Sequence, residues 1–208
     1  MARNRSVAYT ASSRQSAARP EASWWTRLRG CFGGRRARRD AAHVLYLALV
    51  EQARQPVFYA RWGVPDSRDG RLELVNLHAI LVMRRLREEG VPGQELAQTL
   101  FDVMFADLDR HLREWGVGDL SVGKQVKKLA QSFFGRATAL DPLLAGADPE
   151  ALDAVLRRNV YTEAASPDPL AIRRLGAYLT EQGRWLAAQD GATILSGQVS
   201  FAIPAAEA

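Results

Sequence analysis

The sequence predicts an all-α fold: a single compact multi-helix domain behind a disordered, basic N-terminal arm. Apolar residues recur at helical spacing through most of the chain after Asp40. No alternating polar and apolar run is long enough for a sheet. Two Asp-Pro pairs, Asp148-Pro149 and Asp168-Pro169, open helices in the expected manner, with the acid as N-cap and proline at the first helical position. At 208 residues with 47% apolar content, the chain is long enough for one domain with a sizeable core.

Three segments follow from composition: an arm over 1–39, a helical domain over 40–190 and a mobile tail over 191–208. The arm holds ten arginines and a single acid, Glu21, for a net of +9 against +5 for the whole chain, so the body carries −4. The basic balance is therefore a property of the arm and gives no reason for the folded body to bind nucleic acid. Residues 1–23 lack hydrophobic period. Residues 24–39 interleave Trp24, Trp25, Leu28 and Phe32 with Arg27, Arg29, Arg35, Arg36, Arg38 and Arg39. Three readings of that segment stand side by side. Tryptophan favours the headgroup level of a bilayer and arginine an anionic surface, which makes a peripheral membrane tether. The same guanidinium groups suit RNA or a ribosome. An inert, solvated linker would look no different, and the Arg-, Ser- and Ala-rich leader also resembles an organellar transit peptide.

The body begins with a helix from Asp40 whose residues Val44, Leu45, Tyr46, Leu47, Leu49 and Val50 make it apolar nearly all round and predict a central position. Pro56 ends it. Val57–Gly70 reads as a structured loop, closed by the turn former Asp69-Gly70. Its Phe58, Tyr59 and Trp62 are too many rings to hang in water, so they fold back on the helices or meet a partner. Arg71–Glu89 is the next helix, with basic last turns suited to the helix dipole and Gly90 as terminator. His78 lies on its apolar stripe, the usual place of a hydrogen-bonded core histidine. Gln94–Trp115 has the clearest period: Ala97, Leu100, Phe101, Met104, Leu108, Leu112 and Trp115 share one face. Asp102, Asp109 and Arg113 take one flank and Asp107, Arg110 and Glu114 the other, as solvated ion-pair faces. Gly116 and Gly118 break the chain, Asp119 or Ser121 caps a helix to about Leu140, and Lys124, Lys127 and Lys128 form a positive strip on it.

Two catalytic motifs are imitated without being satisfied. Gly118, Gly123 and Lys124 match most of a phosphate-binding loop, but Gln125 replaces the hydroxyl that ligates magnesium and the preceding segment is helical, not a strand. Ser121 and Lys124 have the spacing of penicillin-recognising acyl enzymes, whose other two elements are missing. One cysteine, Cys31, permits no internal disulfide, and the three histidines have no metal-ligand spacing.

Taken together, a longer pattern emerges. Tyr46, Gln52-Ala53-Arg54, Phe58-Tyr59, Trp62-Gly63-Val64-Pro65-Asp66, Asp69-Gly70-Arg71 and Leu77-His78 are followed by Phe101-Asp102, Met104-Phe105 and Asp107-Leu108-Asp109. Leu112-Arg113-Glu114, Gly116-Val117-Gly118-Asp119, Val122, Lys124 and Phe134-Gly135-Arg136 complete it. This string resembles the ubiquinol-cytochrome c chaperone family, assembly factors of respiratory complex III, over roughly residues 40–162. The resemblance implies an all-helical fold with no catalytic centre and no cofactor, binding newly made cytochrome b. It further implies that mitochondrial relatives work with a small partner protein and dock at the ribosome. Carried over by position, Asp66, Asp69, Arg71, Arg113, Glu114, Asp119, Lys124 and Lys127 form the polar binding surface, with helix capping and loop geometry as the alternative reason for those residues. Phe58, Tyr59 and Trp62 join them as candidate partner contacts. The early start of the family region resembles bacterial members, which leads to the expectation of a cytoplasmic protein, peripheral at the inner face of the inner membrane, or on the matrix side in a eukaryote. Two alternatives remain: a ribosome- or RNA-docking module using the arm, and a nucleotide-binding enzyme using Gly118–Lys124.

Overall fold

The computed structural model describes residues 24–146 and 148–204, and of residues 24–33 only the helical backbone. Among these residues there are eight α-helices and no strand: α1 (Trp24–Ala53), α2 (Pro56–Ala60), α3 (Arg68–Arg87), α4 (Gly90–Glu114), α5 (Asp119–Leu140), α6 (Pro149–Asn159), α7 (Pro169–Ala187) and α8 (Gly191–Leu195). A short 3₁₀ turn, Leu143–Ala145, joins α5 to α6. The all-α prediction holds, and so do both Asp-Pro starts: Asp148 accepts from the Ala151 amide at 2.9 Å and Asp168 from Leu170 at 2.9 Å.

Three boundaries move. Helix α1 runs from Trp24, ahead of the start expected at Asp40, while residues 1–23 lie outside the described residues. The packed segment from Ala41 to Ala53 nucleates a helix that the arginine- and alanine-containing stretch before it can extend, because propagation costs far less than nucleation. Asp69-Gly70 is no turn: Ser67 caps α3 and accepts from the Gly70 amide at 3.1 Å. Gly70 is required there, since a Cβ would stand 2.1 Å from the Pro65 carbonyl oxygen. Helix α5 is preceded by Gly118 as N-cap, which leaves Asp119 inside the first turn, where its charge suits the positive helix end.

The central helix is α3, not the segment after Asp40. Leu74, Leu77, Ile80, Leu81, Val82 and Leu86 are buried, together with the polar Glu73, Asn76, His78 and Arg85. It packs against α1, α4 and α7. Among its described side chains, helix α1 buries Ala41, Ala42, Leu45, Leu49 and Ala53 and leaves Val44 50% and Leu47 66% exposed. Each buried leucine of these helices contributes about 1.5–3 kcal/mol relative to exposure. Arg85 turns inward from the end of α3 to serve α7: its Nε donates to the Leu186 carbonyl at 3.1 Å and Nη2 to that of Gln189 at 2.9 Å. The guanidinium thus adds a donor at the last turn of α7, beside the Gln189 amide that also reaches the Leu186 carbonyl at 3.2 Å, and holds the chain that follows the helix.

The C-terminal segment corrects the expectation of a mobile tail. Residues 198–204 run back along α7, tied by two glutamines that imitate a neighbouring strand. Gln182 Nε2 donates to the Ala202 carbonyl at 2.9 Å while its Oε1 accepts from the Ala202 amide at 3.0 Å. One turn-pair later, Gln189 makes the same double bond to Ser200, at 2.8 and 3.0 Å. Gln189 follows the end of α7, seven residues after Gln182, and pairs two residues earlier on the returning segment, so that segment runs antiparallel to α7. Replacing buried Gln182 by alanine leaves the Ala202 amide without its partner and its carbonyl with only the longer bond from Gln52 at 3.3 Å, and is expected to cost about 1–3 kcal/mol. Hydrogen exchange at residues 198–204 should then accelerate, whereas the amides of α3 should respond only to the global loss.

Candidate partner-binding groove

An open groove of about 720 Å³ lies between α1, the loop and first turn before α3, α4 and α5. Its floor is apolar because the stripes of four helices meet there: Val50, Leu72, Val75, Met104, Leu108, Leu112 and Leu129. Its rim is charged. Arg54, Asp66, Arg68, Asp69, Arg71, Asp107, His111 and Lys128 surround the opening, with Tyr46, Gln125 and Trp115 among them.

The rim is held by local ion pairs. Arg71 Nε donates to Asp66 at 2.6 Å across the loop before α3, which holds the Asp66 carboxyl below the usual range. Arg68 pairs with Asp69 at 3.2 Å and lies over the Trp115 ring at 5.2 Å, joining the start of α3 to the end of α4. Asp107 is a small hub: it accepts from the Tyr46 hydroxyl at 2.7 Å and pairs with Arg110 and with His111, 3.3 Å away. Burial, and then the bond to Asp107, pushes the Tyr46 hydroxyl well above its ordinary value, so it stays a donor. Arg54 and Lys128 form no ion pair among the described residues and face the groove as uncompensated cations. This geometry suits an amphipathic segment, with apolar contacts below and charge selection at the edges.

The expected surface is only partly brought together. Asp66, Asp69 and Arg71 line the groove. Arg113 lies beyond it and clamps the α4–α5 junction, paired with Asp109 at 2.7 Å and with Asp119. Glu114, Lys124 and Lys127 are exposed but do not line it. Gly123 and Lys124 lie within α5, on continuous helix, so no strand-loop-helix exists to cradle a phosphate.

Of the three aromatics, Tyr59 alone keeps a surface role: half-buried, it donates to the Ala53 carbonyl at 2.8 Å and receives Arg71 over its ring. Phe58 and Trp62 are core residues, 0% and 3% exposed, and are withdrawn as contacts. They pack edge-to-face at 5.2 Å and both meet Tyr178. His78 is a core histidine as its position on the stripe suggested. Its Nδ1–H donates to the Leu74 carbonyl at 2.7 Å, and its Nε2 accepts from the Tyr178 hydroxyl at 2.8 Å. Gln52 donates to the same hydroxyl at 2.8 Å. The carbonyl can only accept, so the neutral Nδ1–H tautomer is required. Burial lowers the ring to about 4.

Sequence reading missed Arg54, Arg68, His111, Trp115 and Lys128 as groove residues. Trp115 was placed on the buried stripe of α4, yet it is half-exposed. Periodicity shows which face is apolar, and only the neighbouring helices decide how much of it is covered. The clue was its position beside Gly116, where the helix and its cover end together.

The match that assigns this architecture runs over residues 60–201 and is to the family model of the ubiquinol-cytochrome c chaperones. The chain belongs to that family. The matched range leaves out all of α1 and extends well past residue 162, into the C-terminal segment bonded to α7. Among solved structures, the crystal structure of the Cbp3 homolog from Brucella abortus is 34% identical, with a TM-score of 0.75, covering 85% of this chain and 96% of the other. Ubiquinol-cytochrome-c reductase complex assembly factor 1 of Xenopus laevis is 22% identical, over 76% of this chain and 79% of its own length. The assembly factors of the same name from Mus musculus and Homo sapiens are each 24% identical over 77% of this chain, which spans 54% of their length.

Proposed function

We propose that this chain is a non-enzymatic assembly chaperone for the ubiquinol-cytochrome c reductase complex, holding newly made cytochrome b at the groove between α1, α3, α4 and α5. The observation that carries this reading is the groove's division into an apolar floor and a charged rim, in a member of a chaperone family. An unfinished membrane protein exposes apolar helices with polar ends. The floor receives the former and the rim's arginines, aspartates and lysine select the latter. The names of the relatives, assembly factors of that complex, support a role in assembling the same complex. Contacts with a small partner protein and with the ribosome belong to this proposal as expectations from the family.

Capture of the tagged chain from growing cells is the test. Cytochrome b should be recovered with it, and Leu108→Glu, which places a charge on the groove floor, should reduce recovery at least about tenfold, the consequence of losing roughly 1.4 kcal/mol or more of apolar contact. Thermal unfolding of the variant controls for stability. Normal amounts of assembled reductase in a deletion strain would reject the assignment.

A further inference from the structure

The walls of the groove have a direction. Arg38 of α1 pairs with Glu95 of α4, and the Tyr46 hydroxyl donates to Asp107, so α1 and α4 advance the same way. Helix α5 returns in the opposite sense, with Asp119 against Arg113 and the Phe133 ring against Phe105. Helix α4 packs against both, so its open row is bordered by α1 on one side and α5 on the other. Met104, Leu108, Leu112 and Trp115 face the groove once per turn, and Tyr46, Val50 and Arg54 do the same from α1. At 1.5 Å per residue the row on α4 runs about 16 Å, the length of a three-turn helix.

Most of the rim charge is already matched. Each carboxylate lining the groove has its own cation: Asp66 has Arg71, Asp69 has Arg68, and Asp107 has Arg110. Arg54 and Lys128 are left over. Both are exposed, neither forms an ion pair among the described residues, and they stand on opposite walls.

We propose that the groove is a receptor for an acidic amphipathic helix of about three turns, its apolar face on the floor and a carboxylate on each flank, one toward Arg54 and the other toward Lys128. The inference rests on the groove being the partner site and adds the sign of the charge it selects. A helix fits better than an extended segment because it satisfies its own backbone groups, and walls made of helices offer no free row of amides and carbonyls. The chain's own leader has the wrong sign, with Arg3, Arg5, Arg14 and Arg19 against Glu21 alone before Trp24.

Fluorescence polarisation on the full-length chain is the measurement. Two synthetic amphipathic peptides of about 18 residues share one leucine face and carry either glutamate or lysine on both flanks. The glutamate peptide should bind at least about tenfold more tightly at low ionic strength, from two attractions gained and two repulsions avoided, and added salt should narrow the margin. Arg54→Glu with Lys128→Glu should invert the order and leave thermal unfolding unchanged, since both side chains are exposed. Leu108→Glu should weaken both peptides. Equal affinity for the two peptides would overturn the proposal while leaving the client reading intact, because that reading is decided by capture from cells. Binding of neither peptide, or an order unchanged by the double reversal, would overturn it too. Displacement of the glutamate peptide by a peptide of residues 1–23 would assign the groove to the leader, and a dimer that Lys128→Glu dissolves would assign it to a second copy.

Discussion

Phe58→Ala is expected to lower the free energy of unfolding by about 3–5 kcal/mol, read from urea denaturation. The ring is fully buried among Trp62, His78 and Tyr178, at centroid distances of 5.2, 5.8 and 5.2 Å. Its removal leaves a cavity between α2, α3 and α7 and also deletes three edge-to-face contacts. The loss is large because α2 is only five residues long, and Phe58 is its buried residue. Were Phe58 a client contact, alanine would leave stability nearly unchanged and cytochrome b capture would fall instead. That result would return it to the binding surface.

The second large effect is a pH response set by two buried groups of opposite sign on α3. His78 is held neutral, with its ring lowered from about 6.5 to about 4 by burial. Between those values the unfolded chain binds a proton that the folded chain refuses, so stability falls with falling pH, by about 3 kcal/mol in full. Glu73 does the reverse. Burial pushes its carboxyl up to about 7, against the pull of Arg136, and its Oε2 has no hydrogen-bond partner. The folded chain therefore takes up a proton before the unfolded one, a contribution present below pH 4.5 and lost as pH rises through 7. In the native chain the two nearly cancel from pH 6.5 to 4.5. Glu73→Gln removes one arm of the balance, and the variant is expected to lose about 3 kcal/mol between pH 6.5 and 4. Equal pH profiles for native chain and variant, measured by denaturation at fixed ionic strength, would show that Glu73 is ionised throughout as Arg136's partner.

Much of this molecule was legible along the chain. The seven-residue stripe of α4, the Asp-Pro starts of α6 and α7 and the buried place of His78 all depend on periods and caps, which act within a few residues. The groove was legible only in part. Asp66, Asp69 and Arg71 stood out by their place in the family-like string, and the structure sets them in the loop and first turn of α3. Arg54 and Lys128 carry no local signature: one follows the last turn of α1, the other lies on α5, and each is an ordinary surface cation until the two helices border one groove. The aromatic loop was left with two readings for the complementary reason. Its composition showed that the rings needed cover, and whether that cover is the protein's own Tyr178, more than a hundred residues away in sequence, is a matter of packing.

Sequence by itself determined the helical class, the helix starts at Asp148 and Asp168, the charge split between leader and body, and the absence of a complete phosphate loop. Each rests on the spacing and chemistry of near neighbours. Tertiary structure alone decided that α3 is central, that the C-terminal segment is tied to α7 through Gln182 and Gln189, and that the apolar stripes of four helices are left uncovered along one groove. Those outcomes depend on which faces meet, and burial is a property of the pair of surfaces, not of either segment.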